Sequence, residues 1–513
     1  MATSKLSEVT SFTDPKCVFD PKFEKTLVIK YYKPTVETSE SNDKENEALS
    51  PNEDPLKYDG ILIPIIKINS AVIPATDLIS MNLNYTKFVP TLTIKARINS
   101  YTKLEIPGMV NTVTVVMIPP EDGIYRKISV DFYIKNVTYI GPNVIYECEY
   151  YYPELYKKYT RSFTNENGNK LTTYELLETI AKENKLGFAV TEKCKDIADT
   201  KVRLCRNQNI QEIINEHISF GGLDENSIFT SWIDLYGYLQ MSNIAWVLNQ
   251  QVTYEDISMY EIVGISNPSG NFTGNGLQYG DKTFRVFSNL RADSKKMANK
   301  ISSYTYLIDN NSVKNFGTNN KYYCVDPVCG GGTNSITTEQ MIITEDSIDG
   351  KDNNSMYNFE RNSYIGVEMG FANDGNTPVL YQKRRRNTLL TRLKAKRLKV
   401  ELQDMHIGLE RGTLVGINIF EYDRETKMTM LRNISNLQDE GDLDAESKMS
   451  LDNMEEIATE SNFGVINNAV SGIYYIDGME FNYNSDQKKI TQVLYLIKKD
   501  TARNYYNLLS LPK

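Results

Sequence analysis

The residues best placed for chemistry lie in "IFTSWIDLYGYLQMSNIAWVLNQ", Ile228 to Gln250. This stretch holds both tryptophans of the 513-residue chain, Trp232 and Trp246, with Tyr236, Tyr238 and a single acid, Asp234, between them. Aromatic rings around a carboxylate can line a sugar-binding cleft, and paired carboxylates hydrolyse glycosides. The local pattern offers a second reading. Residues 229–241 alternate around Asp234–Gly237, which predicts strand, turn, strand. Phe229, Ser231, Ile233 and Leu235 then face one way, and Thr230, Trp232 and Asp234 the other. Asp234 becomes a turn residue bonding its own backbone. Trp232 and Trp246 become packing between the hairpin and the segment after it. The sugar reading requires Trp232 exposed beside two carboxylates roughly 5–10 Å apart.

Other catalytic templates find little support. The two histidines are His217, on the apolar stripe of an expected helix, and His406, in "QDMHIGL" after a strand. Neither sits in a triad or zinc motif, so both are read as structural. No nucleophile elbow, zincin or phosphate-loop motif occurs. "GNFTGNGLQYG" has the wrong spacing for a dinucleotide loop. "EDSIDGKDNNSM" places Met356 where a calcium loop needs a bidentate Glu. The cysteines, at 17, 148, 194, 205, 324 and 329, show no framework spacing and are read as reduced thiols. Cys324 and Cys329 in "CVDPVCGGG" read as a turn. No residue is nominated as catalytic, cofactor-binding or metal-binding, and no cofactor is expected.

Charge is unevenly placed. Residues 37–54 carry seven acids and one lysine, and residues 439–460 carry nine acids and one lysine. The net charge of -9 therefore describes two polar insertions, leaving the rest of the chain about +5. "KRRRNTLLTRLKAKRLK", residues 383–399, holds nine basic residues and no acid. It is expected to be a packed helix with a basic outer face, with phosphate binding to nucleic acid as the lesser alternative. No secretory signal opens the sequence. The longest apolar stretch, from Ile61, is broken by Pro64 and Lys67, so no membrane span is expected.

The elements that must position these residues read as two strand-dense blocks around a mixed one. Residues 61–156 give a succession of strands split by signals such as "PPEDG" and "IGPN". Residues 172–188 predict a helix, with Thr172 and Glu175 as a capping box and Gly187 as its stop. Residues 209–222 predict a second helix, with Ile210, Ile213, Ile214 and His217 on one face. Residues 291–301 suggest another helix, and 316–380 are loop-rich. Strands return after Lys399. An internal echo runs through the strand blocks. "FYIKNVTY" (132–139) resembles "YYIDGMEF" (474–481), "PGMVNTVTV" from Pro107 resembles "RGTLVGINI" from Arg411, and "NVIYECEYYY" pairs with "ITQVLYLIKK". The shared order points to a duplicated unit.

Three passages carry a family likeness. They are "NQNIQEIINEHISFGG…FTSWIDLYGYLQM", "RLKAKRLKVELQDMHIGLERGTLVGINIFEYD" and "SGIYYIDGMEFNYNSDQKKITQVLYLIKKDT". Together they resemble the central hub proteins of contractile phage tail baseplates, a family related to late control proteins and type VI secretion spike hubs. The two acidic insertions and residues 316–380 depart from the pattern. The resemblance implies a mixed β and α+β fold: two tail-tube-like β-barrel domains with an α+β domain between them. The boundaries it implies are an arm at 1–20, a first barrel at 21–160 and an α+β domain at 161–290. Then come the first strand of a second barrel at 291–315, an insertion with the basic helix at 316–395, and the second barrel at 396–513. It further implies a non-enzymatic homotrimer in the virion, assembled in the host cytoplasm. Its neighbours would be a tail tube protein on one face, a central spike protein on the other and baseplate wedge proteins at the periphery. Another baseplate component or tube initiator is the second reading, and a carbohydrate-binding or carbohydrate-active protein the third.

Overall fold

The computed structural model describes residues 16–21, 64–69, 71–98, 110–118, 127–164, 170–191, 194–195, 203–205, 207–219, 221, 228–248, 277–279, 282–284, 286–289, 301–308, 321–326, 339–344, 364–369, 390, 396–402, 405, 409–421, 465–467, 470–487 and 489–498. Both acidic insertions, His406, Cys329 and residues 291–300 of the helix expected at 291–301 lie outside these residues, and Ile301 opens a strand. In chain order the strands of the first block are β1 (Lys16–Phe19), β2 (Ile65–Ile68), β3 (Leu78–Tyr85), β4 (Thr91–Arg97), β5 (Thr112–Met117), β6 (Ile128–Ile140) and β7 (Asn143–Tyr150). The mixed block holds α1 (Thr173–Glu183), β8 (Gly187–Val190), α2 (Ile210–Ser219), β9 (Phe229–Ile233), β10 (Tyr238–Asn243) and α3 (Ile244–Leu248). The last block adds β11 (Val286–Ser288), β12 (Ile301–Ile308), β13 (Lys396–Leu402), β14 (Leu414–Asn418), β15 (Gly472–Asn484) and β16 (Lys489–Ile497).

The fold is mixed β and α+β, as the sequence leads one to expect. Apart from β1, the strands of the first and last blocks, with a two-residue strand at Ala71–Val72, belong to one 13-stranded sheet that curls as a half-barrel. Most of these strands bury one face. β4 alternates from Leu92 through Ile94 to Ala96, all at most 1% exposed, with half-exposed or exposed residues between. This is the period-two pattern of a sheet with one wet face.

The duplication is visible in the strand order. The first unit runs β2–β5–β6–β7–β4–β3 across the sheet, and the second β11–β14–β15–β16–β13–β12. Numbered within each unit, both orders are 1-4-5-6-3-2. Two register irregularities repeat as well. β3 slips against β4 between Leu78 and Ser80, and β12 slips against β13 between Ile301 and Ser303. β6 slips against β7 between Ile134 and Asn136, and β15 slips against β16 between Ile476 and Gly478. Bulges insert one residue and bend the strand, so their recurrence at matching positions marks a repeated design. One pairing departs: β2 and β5 are antiparallel, whereas β11 and β14 are parallel.

The structure also corrects the echo. Phe132 faces Val113 and Tyr474 faces Val415, so Asn111 corresponds to Thr413. Aligning Gly108 with Gly412 is therefore two residues out. Likewise Cys148 and Leu496 face the matching Ile134 and Ile476, one residue from the sequence pairing. A one-residue slip would exchange the two faces of a strand.

The middle block is an α+β unit. Its sheet runs β1–β8–β10–β9, with β8 and β10 parallel. Residues 16–19, expected as part of an arm, are thus an edge strand of this unit, and the Tyr238 hydroxyl donates to Asp20 beside it. α1 begins with the expected capping box: Thr172 Oγ1 accepts from the Glu175 backbone N–H at 3.1 Å, and Glu175 accepts from that of Thr172 at 2.8 Å. It stops earlier than expected. Lys185 takes the left-handed conformation, φ 56°, and Gly187 opens β8. α2 carries a second capping box between Asn209 and Glu212. Its Ile210, Ile213, Ile214 and His217 are all buried.

Two further expectations change. Residues 396–399, the end of the expected basic helix, are strand: from Arg397 to Leu402, half-buried Arg397, Lys399 and Glu401 alternate with buried Leu398, Val400 and Leu402, which is the period of a strand. The loop-rich stretch contains strands Lys321–Asp326, Glu339–Thr344 and Tyr364–Met369 in one three-stranded sheet, so Cys324 lies in a strand and not a turn. We expect Thr172→Ala to cost about 1 kcal/mol through loss of its cap. Urea titration should show the lower midpoint, and hydrogen exchange should place the change in α1.

Candidate functional site: the joint between the two units

No pairing along β15 is wasted. Its first part, Leu414 partners included, holds β14 through Gly472–Tyr475; its second part holds β3 through Met479–Asn484. Both neighbours lie along one edge, while β16 runs along the other. The change of partner falls at Ile476–Gly478, where the bulge inserts Asp477. Glycine is needed next to it. A Cβ on Gly478 would lie 2.9 Å from Thr86 Cγ2 and 3.0 Å from Thr86 Cα, the residue that follows β3.

Beyond the bulge the joint is paired on both faces. On the core face Met479, Phe481 and Tyr483 stand opposite Tyr85, Leu83 and Met81, all at most 3% exposed. On the other face Asn82 Nδ2 donates to Asn482 Oδ1 at 2.6 Å, and Asn84 Nδ2 donates to Glu480 Oε1 at 2.8 Å. The Tyr495 hydroxyl donates to the same carboxylate oxygen at 2.9 Å. Burial and this contact raise the Tyr495 hydroxyl to about 12.

The turn Glu410–Thr413 fills the wedge that the bulge opens. Gly412 N–H donates to Ile476 O at 2.9 Å, and Ile476 N–H donates to Thr413 O at 3.0 Å. Arg411 Nη1 donates to Lys87 O at 2.6 Å, and the Tyr85 hydroxyl donates to Glu410 Oε1 at 3.3 Å. The α+β hairpin closes the same wedge. Ile233 N–H donates to Phe88 O at 2.8 Å. Trp232, fully buried, carries the Arg411 guanidinium 4.8 Å from its ring centre. A desolvated cation–π contact of this kind contributes about 2 kcal/mol. Gly412 has φ +91°, and a Cβ there would lie 2.5 Å from Trp232 Cη2.

The candidate cleft residues are therefore accounted for. Asp234 is 1% exposed; its Oδ1 accepts from the backbone N–H groups of Tyr236 and Tyr238 at 2.9 and 2.8 Å, and its Oδ2 from Gln240 Nε2 at 2.8 Å. It is the turn residue the alternation implied. Trp232 is core, but its partner is the Glu410–Thr413 turn far along the chain, not the segment after the hairpin. Trp246 packs with α3 against Leu414, Tyr475 and Ile497 of the second unit. The facing pattern of the hairpin also differs: Trp232 and Ile233 are both buried, because β9 has α2 against it while Trp232 meets the joint. A cavity of about 20 Å³ remains between Tyr85, Asp234, Met405, Glu410 and Phe481, room for about one water. With Trp232 buried, the geometry demanded by the sugar reading is absent there.

Cys148, Cys194 and Cys205 behave as core residues. Burial, reinforced by Glu147, pushes the Cys148 thiol up to about 12, and burial with Glu216 pushes that of Cys205 up to about 11. Sequence reasoning missed the Glu410–Thr413 turn and Thr86 as the centre of the assembly. The visible signals were Gly412 in "ERGT" and Gly478 in "IDG".

No family model and no curated protein matches the chain. Solved structures do. A tail protein from Neisseria meningitidis MC58 is 8% identical with a TM-score of 0.43, covering 86% of this chain and 98% of that one. The 43 kDa tail protein of prophage MuSo2 from Shewanella oneidensis is 9% identical with a TM-score of 0.43, covering 85% and 99%. An E. coli component of the type VI secretion system, described as similar to the T4 tail proteins gp27 and gp5, is 8% identical with a TM-score of 0.35, covering 84% and 76%.

Two outcomes follow from this geometry. Gly412→Ala should destabilise the protein by about 2–4 kcal/mol, since strain at positive φ and overpacking against Trp232 add; thermal or urea unfolding measures it. At pH 8 the native Cys148 and Cys205 should react with iodoacetamide at least about a hundredfold more slowly than in the urea-unfolded chain, because little thiolate forms. Peptide mass mapping over time reads both rates.

Proposed function

We propose that the chain is a structural virion protein, the central hub of a contractile tail baseplate, joining a six-fold tail tube to a three-fold central spike. The observation that carries this reading is the duplicated six-strand unit, joined edge to edge within one sheet. A ring that matches a six-fold tube needs six equivalent units. A chain with two such units supplies them as a homotrimer, and closed symmetry then leaves a three-fold surface for the spike. Wedge proteins would surround the ring, and assembly would take place in the host cytoplasm. The division into barrel, α+β and barrel domains belongs to the same proposal.

The role is mechanical and not enzymatic. Its support is the use made of polar residues at the joint: Asp234, Glu410, Arg411 and Glu480 are engaged in hydrogen bonds or stacking that fix backbone segments against each other. The sequence likeness at residues 207–241, 392–423 and 471–501 supports the same reading. Native mass spectrometry of the assembled protein should give three times the chain's 58.6 kDa. A six-copy particle would contradict the hub and favour a tube initiator or wedge component.

A further inference from the structure

Among the described residues, each half of the internal joint recurs once more in the sheet with no strand paired along the matching edge, one half on the far part of β6 and the other on β12. In the second unit, residues 479–484 of β15 are covered by β3 of the first unit. The equivalent part of β6 follows Lys135, and β5 covers β6 only as far as Tyr133. Its core-side residues are correspondingly bared: Tyr139 is 55% exposed, where its counterpart Phe481 is 3% exposed. Among the described residues the sheet ends at β12, the counterpart of β3. Tyr306 is 42% exposed, where its counterpart Leu83 is fully buried. These two edges therefore show the surface that the internal joint buries, β6 as the β15-like half and β12 as the β3-like half.

The matching registers fix what would meet. Met479 faces Tyr85, Phe481 faces Leu83 and Asn482 faces Asn82 in the internal joint. The repeated bulges equate Ile476 with Ile134, and Ile301 with Leu78. We propose that β6 of one copy of this chain pairs antiparallel with β12 of the next, Val137 opposite Ile308, Thr138 opposite Leu307, Tyr139 opposite Tyr306 and Ile140 opposite Thr305. The joint between chains thus repeats the joint within the chain. An exposed edge with apolar side chains is a template for strand addition, and head-to-tail addition closes into a ring when the rotation allows. This inference rests on the ring proposed above and names its contacts.

The outer face of this second joint differs from the first. The Asn82–Asn482 and Asn84–Glu480 hydrogen bonds are replaced by Ile140 with Thr305 and by Thr138 with Leu307. Ile140 is 55% exposed in the single chain. The joint between chains is thereby the more apolar of the two, which suits a contact that must form from separate molecules.

Disulfide trapping tests it. Proteins carrying Tyr139→Cys and Tyr306→Cys are made separately, mixed and mildly oxidised, with the parent chain as control for the native thiols. Both positions are exposed, and thermal melting of each variant beside the parent checks that it folds. Directly opposite residues hold their Cβ atoms about 4.5–5.5 Å apart. The mixture should give cross-linked chains, the double variant a covalent ring, and each variant alone no more than the parent. Absence of the 139–306 link, or links between like residues in a single variant, would overturn the pairing. A three-copy particle without the link removes this joint and leaves the hub standing. The link in a particle of another copy number removes the hub and leaves the joint.

Discussion

A strand has two edges, and every backbone N–H and C=O along them needs a partner. The architecture turns on how β15 meets that demand: one edge serves β16, and the other is divided between β14 and β3. Dividing an edge requires the strand to turn away from one neighbour and toward another. The extra residue Asp477 supplies the bend, and Gly478 supplies the clearance that Thr86 needs. The two six-strand units become one sheet at this point.

A bend in a sheet leaves a wedge, and the rest of the molecule is arranged to fill it. The Glu410–Thr413 turn bonds to Ile476 on one side and to Lys87 on the other. The hairpin β9–β10 brings Trp232 onto Gly412, and its Asp234 holds the hairpin's own turn rigid. The α+β unit is thus a buttress for the joint. Its acids and aromatics, which in another setting would suggest a binding cleft, are used to lock three backbone segments together. Such a construction suits a part that must hold shape under load.

Much of this was legible from period and punctuation. Alternation marked most strands of the first block, Thr172 and Glu175 marked a helix start, and the shared order of Gly, strand and hairpin marked a duplication. What escaped was non-local. The sequence echo sets Gly108 against Gly412, but the hydrogen bonds of Asn111 and Thr413 to Ile134 and Ile476 set a register two residues away. Basic residues at 396–399 suggested a helix because alternation within a short, charged run is easily taken for helical spacing. Gly187 looked like a helix stop, yet Lys185 accepts the left-handed conformation and the glycine serves the strand beside Tyr238. Residues 16–19 looked like an arm because their partner, β8, lies some 170 residues on. Trp232 announced packing, but nothing local could name Arg411 as its partner.

The central claim is that two equivalent units per chain build a closed ring by repeating one edge joint. Electron-microscopy class averages of the assembled protein, viewed down the ring axis, test it most directly. Three chains forming a closed ring with six similar lobes is the result this account predicts. A two-fold dimer, an open filament or a ring with one lobe per chain would contradict it.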